Sequence, residues 1–317
     1  MDLNARIGQS QINYASETGR MSPFEHLDNT DFAGSQQTKD PVHPESEQSY
    51  DTPRRSSIAF HSYPQSFPYR PTTIIDDRLR ELTLEYEIQQ DLGERLRLLE
   101  DYEIIILCDD SGSMKTTVDN TNRTRWDELR DMVKIVLKIG TIFDTTGVDV
   151  YFLNRPSILN VTDPESINIE FSQQPRGYTP LVKALRHIFN LPSTRRGNDK
   201  KVLVFVATDG APSDDRGNIN VDELEHLMID ERRIETTHVM FLICTDDSTC
   251  VEYLNDWDRK MTNVDVTDDF ITERKKIRQV NGENYPFSKG DYIVKALLGA
   301  IDDDMDKLNE PPQINMH

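Results

Sequence analysis

The chain has 317 residues, with 56 Asp and Glu against 36 Lys and Arg, and a formal net charge of -20. That charge and a pI near 4.7 argue against nucleic acid or an anionic membrane as the main partner, since both would repel the chain. No apolar run approaches the roughly 18 residues that span a bilayer, and the opening Met1-Asp-Leu-Asn-Ala-Arg-Ile-Gly8 lacks the basic and then apolar pattern of a secretory leader, so a cytoplasmic protein is expected.

Residues 1–75 are rich in Ser, Gln, Asn, Asp and Pro without a sustained hydrophobic period. Such a composition cannot offset its own ordering entropy, and a disordered tail is expected. Within it, Arg54-Arg-Ser-Ser-Ile58 fits the R-R-x-S-apolar pattern of basophilic kinase substrates and marks Ser57 as a candidate phosphosite. Residues 76–100 place Leu92, Leu96 and Leu99 at helical spacing and read as one amphipathic helix packing on the domain that follows.

The domain is expected over residues 101–304. Ile104 to Cys108 is a run of apolar and β-branched residues suited to a strand buried on both faces of a parallel sheet. It ends in Asp109-Asp-Ser-Gly-Ser113, where Gly112 allows a sharp backbone turn. One carboxylate and two hydroxyls spaced D-x-S-x-S can converge beyond the strand's carboxyl end, and hard oxygen donors of that kind suit Mg²⁺ or Mn²⁺ better than zinc. Residues 125–144 form an amphipathic helix through Trp126, Leu129, Val133, Val136 and Leu137. Val148 to Leu153 is the next strand and Ser157 to Val161 a short edge strand. A helix begins after Thr179, with Pro180 in its first turn.

Further strands are expected at Lys201 to Ala207, His238 to Cys244 and Val264 to Val266, with helices over 221–233, 249–260 and 291–298. Arg274 to Pro286 reads as a solvated loop with a small basic cluster, and residues 305–317 as a frayed end. This alternation implies right-handed crossovers and a mainly parallel, doubly wound sheet with helices on both faces. Cys108 and Cys244 read as small core residues, and Cys250 as a thiol at a helix start. His187, His226 and His238 fall in element patterns away from a candidate base, and no G-x-x-x-x-G-K-[ST] nucleotide loop is present.

Three motifs occur in order: Asp109-Asp-Ser-Gly-Ser113, Gly177-Tyr-Thr-Pro-Leu181 and Val204-Phe-Val-Ala-Thr-Asp-Gly210. Together they resemble the metal-ion-dependent adhesion site of von Willebrand factor type A domains. The resemblance implies an α/β fold and five metal-coordinating residues, Asp109, Ser111, Ser113, Thr179 and Asp209. It also implies a bound Mg²⁺ or Mn²⁺ that captures an Asp or Glu of a protein partner. Asp110, at the variable position, reads as non-ligating, while Lys115 and Arg125 read as solvated side chains at the rim. The expectation is a metal-dependent protein-interaction module rather than an enzyme. The alternatives are a Mg²⁺-dependent hydrolase or phosphatase using a metal-bound water, and a metal-free scaffold.

Overall fold

The computed structural model describes residues 73–118, 121–195, 200–245, 247, 251–254 and 256–310. The tail reading for residues 1–72, Ser57, Cys250 and the last seven residues lie outside them. In chain order the helices are α1 (Ile74–Glu85), α2 (Gln90–Arg95), α3 (Arg125–Phe143), α4 (Asn168–Phe171), α5 (Leu181–Phe189), α6 (Pro192–Arg195), α7 (Val221–His226), α8 (Trp257–Lys260), α9 (Phe270–Asn281), α10 (Lys289–Leu298) and α11 (Asp303–Asp306). The strands are β1 (Tyr102–Cys108), β2 (Val148–Phe152), β3 (Ile158–Val161), β4 (Lys201–Thr208), β5 (Thr237–Ile243) and β6 (Val264–Thr267).

The strands form one six-stranded sheet in the order β3-β2-β1-β4-β5-β6. Every neighbouring pair is parallel except β2 with β3, which are antiparallel at the edge. Because side chains alternate across a strand, β1 feeds two cores. Ile104, Ile106 and Cys108 pack on one face with residues of α1, α2, α3 and α10. Ile105 and Leu107 pack on the other with residues of α5, α7 and α8. Both faces are therefore covered, which is why β1 and β4 read as continuous apolar runs. The sheet order reverses between β1 and β4, and their carboxyl ends border the crevice where open α/β sheets gather ligands.

Several expected elements differ from the structure. The single helix over 76–100 is broken into α1, α2 and a 3₁₀ turn (Leu96–Asp101). Glu87 takes a positive φ of 53°, the Gln89 amide N donates to Asp291 Oδ1 at 2.8 Å, and Ile88 and Leu92 are buried. A Cβ on Gly290 would lie 2.3 Å from the Tyr86 carbonyl, so the break lets the chain meet the start of α10 at close range.

The expected loop over 274–286 is largely helix α9. The Asp269 carboxylate accepts from the Ile271 and Thr272 amides to cap it, and it ends at Gly282 with φ 106°. Arg274, Lys275, Lys276 and Arg278 therefore lie on a helix. At the other end, α11 and a following 3₁₀ turn (Lys307–Asn309) carry regular structure into the first residues of the 305–317 end that was expected to fray, and Met305 is buried. Among the described residues, no helix is long and apolar enough to cross a membrane.

Candidate functional site

The sheet register sets the site. Cys108 on β1 is paired with Ala207 on β4, and the Asp109 amide continues the ladder by donating to the Ala207 carbonyl at 2.9 Å. Asp109 and Asp209 therefore leave neighbouring strand ends within two residues of one paired position. Both side chains are buried, as is Ser111. The Asp109 carboxylate accepts from the Ser111 amide at 2.9 Å and from the Thr208 hydroxyl at 2.6 Å. Ser111 Oγ and Ser113 Oγ are hydrogen-bonded at 3.0 Å, and Ser113 Oγ donates to Asp209 Oδ1 at 2.7 Å. Gly112 has no left-handed φ; the turn is a 3₁₀ one over Gly112–Lys115.

Thr179 comes in from a separate loop. The Gly112 amide donates to the Gly177 carbonyl at 3.1 Å and the Arg176 amide to the Asp110 carbonyl at 2.7 Å, which ties that loop to the Asp109–Ser113 turn. Gly177 has φ 103°, and a Cβ there would lie 2.4 Å from Asn154 Oδ1, so no larger residue fits without displacing Asn154. On its other side, the Thr179 amide donates to Ser213 Oγ at 3.0 Å and the Ser213 amide to the Thr179 carbonyl at 2.9 Å. Thr179 is buried just ahead of α5. Pro180 takes the N-cap position of that helix rather than its first turn.

Asp109, Ser111, Ser113 and Asp209 thus form a continuous polar cluster, and the Thr179 loop is fastened to its rim. Burial, and after it the charge of Asp209, pushes the Asp109 carboxyl up to about 7, although Thr208 and Ser111 hydrogen-bond it. Asp209 meets a cation: Arg125, the first residue of α3, places Nη1 2.9 Å from Asp209 Oδ2. Arg125 was expected to be solvated, but its side chain is only 14% exposed. Lys115 is exposed as expected.

Asp110 points away from this cluster. Its carboxylate accepts from Arg155 Nε at 2.6 Å, from the Asn154 amide at 2.7 Å and from Asn154 Nδ2 at 3.1 Å. Two residues that organise the site stood out in no sequence motif by role: Thr208, inside the T-D-G motif, holds Asp109, and Ser213 lies in a segment whose spacing carries no such signal. Arg125 was placed at the rim, but as a solvated side chain. Burial, together with Asp209 and Asp109 nearby, pushes the Cys244 thiol well above its ordinary value, away from thiolate chemistry. His238 is buried, edge-on to the Tyr102 ring and with Nδ1 2.7 Å from the Ala300 carbonyl.

No family model and no curated protein matches the chain. Among solved structures, the pilus adhesin SpaC from Lactobacillus rhamnosus GG is similar at 15% identity with a TM-score of 0.37. The likeness covers 62% of this chain and 31% of the adhesin's, so the chain spans less than a third of that protein.

Among the described residues, no three His, Cys, Asp or Glu side chains gather into a group that could hold a metal ion. The cluster above is of a different make: two carboxylates and three hydroxyl-bearing residues. All its donors are hard oxygens, which match the preference of Mg²⁺ and Mn²⁺. Chemically, such a set can hold an octahedral ion while leaving positions for water or an outside oxygen.

Proposed function

We propose that Asp109, Ser111, Ser113, Thr179 and Asp209 hold a Mg²⁺ or Mn²⁺ ion, and that the protein is a metal-dependent interaction module of the von Willebrand factor type A kind. The observation that carries this reading is the hydrogen-bonded line Ser111 Oγ–Ser113 Oγ–Asp209 Oδ1, with steps of 3.0 and 2.7 Å, at the carboxyl ends of adjacent strands. Two hydroxyls and a carboxylate that already touch one another need little rearrangement to face one cation.

A bound ion would supply a positive centre for an acidic side chain of a partner. The chain's own residues do the positioning. Thr208 and the Ser111 amide orient Asp109, and the Ser213 pair of bonds keeps Thr179 at the rim. Few charged donors and several neutral hydroxyls leave an ion short of negative charge, which favours an incoming Asp or Glu over a neutral ligand.

The test is calorimetric titration of Mg²⁺ and Mn²⁺ into the full chain, the Asp109→Ala variant and the Thr179→Ala variant. Binding by the wild type that both substitutions abolish is the expected result; wild-type protein that binds neither ion refutes the reading. Release of phosphate from a generic phosphate ester in Mg²⁺, lost in Asp109→Ala, would instead make the site hydrolytic.

A further inference from the structure

Arg125 breaks a local rule. The first turn of a helix has partial positive charge and favours acids, and α3 otherwise obeys: Thr124 caps it reciprocally with Asp127, and Glu128 follows. A cation as the first residue of α3 calls for an external reason, and Asp209 provides it. The Asp209 side chain is 0% exposed, with Oδ2 held by Arg125 at 2.9 Å and Oδ1 by Ser113 at 2.7 Å. Both of its oxygens are already engaged, one of them by a full positive charge.

We propose that Arg125 is the built-in counter-ion of Asp209, and that a divalent ion must compete with its guanidinium to enter the site. The inference rests on the ion-binding reading above and deepens it: Arg125 sets how tightly the site takes its ion. The Asp209 carboxylate and the Arg125 guanidinium offset one another, whereas without Arg125 the buried carboxylate would present its full negative charge to an entering cation. The guanidinium and a divalent ion repel each other in a buried setting where solvent screens little.

Arg125 also has somewhere to go. It lines a cavity of about 550 Å³ between α3, α9 and α10, whose other charged lining residues are Glu128, Asp269, Arg274 and Lys289. Glu128, on the same helix as Arg125, is the carboxylate there that could receive the guanidinium as it leaves Asp209, since Asp269 already caps α9. The chain keeps Asp209 neutralised in both states, by its own arginine without the ion and by the ion when it arrives.

The experiment is Mg²⁺ and Mn²⁺ titration by calorimetry on EDTA-treated full-length wild type and Arg125→Gln, with Asp109→Ala as the control. The expected result is ion affinity at least about tenfold tighter in Arg125→Gln, as removal of a nearby like charge requires. A larger Mg²⁺-dependent rise in Tm than in the wild type should accompany it. Binding by Arg125→Gln where the wild type binds too weakly to measure supports the inference most directly.

Equal or weaker affinity in Arg125→Gln overturns the inference while leaving the ion site standing, because it makes Arg125 a bystander or a support. Absence of binding in both proteins removes the ion site and the inference with it. Should Arg125→Gln not fold, the wild type alone still decides. The arginine side-chain NMR signal assigned through Arg125→Lys should lose its protection from solvent exchange on adding Mg²⁺, and a signal that stays protected at saturating ion overturns the inference.

Discussion

Replacing Asp110 by Asn tests how the site is held up, independently of any ion. Asp110 and Arg155 form a buried pair, with side chains 1% and 9% exposed and Nε 2.6 Å from Oδ2. In Asp110→Asn the amide keeps the shape and one acceptor for Asn154, but it loses the charge and can turn an N–H toward Arg155 Nε–H. Arg155 is left with the carbonyls of Glu170 and Gln174 and with the rings of Trp126 and Phe152, whose centres lie 5.0 and 5.6 Å away. Removing one partner of a buried pair costs about 3–5 kcal/mol, and these residual contacts put the expected loss at the low end, about 3 kcal/mol. For a folded region of this size that corresponds to a fall in Tm of roughly 6–12 °C. Scanning calorimetry of wild type, Asp110→Asn, Arg155→Met and the double variant measures it. A single-variant loss under about 1 kcal/mol, or losses that simply add in the double variant, would refute the claim that the pair acts as a unit.

Two other substitutions follow from the geometry. Gly177→Ala forces a Cβ onto Asn154 at a φ that L residues avoid, and should cost about 1–3 kcal/mol while speeding hydrogen exchange of the Gly112 amide; unchanged exchange would separate the Thr179 loop from the Asp109–Ser113 turn. Burial, then the charge of Asp265, raises the Asp306 carboxyl to about 6, against the pull of Lys295 and with Asp258 and Glu310 adding to the rise. The fold therefore favours its neutral form, and ionisation weakens the fold as the pH rises from about 4 through about 6. Asp306→Asn should match the wild type in urea unfolding at pH 4 and exceed it at pH 8, whereas a less stable variant at pH 8 would show that the attraction to Lys295 dominates.

Much of the sheet was legible because β1, β4 and β5 are buried on both faces, so their residues form unbroken apolar runs with strand length. The three motifs could be placed for the same reason: each sits at the end of such a run or at the start of a helix. Helix α9 was not legible. Only Glu273 and Ile277 along it are fully buried, with Phe270 at its start partly so, and a periodicity argument needs more apolar positions than these. Glu273 is held there by partners distant in sequence, Lys295 at 3.4 Å and Asn309 at 2.8 Å. The break at Glu87 was hidden for a related reason, since it depends on α10, some 200 residues away in sequence. Leu92, Leu96 and Leu99 keep helical spacing across it.

The pair Asp109-Asp110 shows why the motif alone could not assign every role. At the end of a strand, successive side chains point to opposite sides, and here the two carboxylates are sent to different tasks. Asp109 turns toward β4, where Thr208 holds it close to Asp209. Asp110 turns toward the segment after β2, where Asn154 and Arg155 bind it. Arg155 in turn donates to the Glu170 and Gln174 carbonyls, just upstream of the loop that carries Thr179. The second acid therefore holds no place in the candidate ion cluster, yet it fastens the loop that would complete that cluster. A single strand end thus supplies both a donor and the anchor for a donor from elsewhere in the chain, and the division follows from strand geometry rather than from residue type. The same logic places Arg125 opposite Asp209: each buried acid at this edge of the sheet that lies beside a cation has that cation delivered by a different element, Arg155 after β2 and Arg125 at the start of α3. Asp109 is the exception, a fully buried acid held by a hydroxyl and an amide; burial and the nearby Asp209 push its carboxyl up to about 7 and favour its neutral form, so it meets the low-dielectric setting by holding a proton rather than by facing a cation.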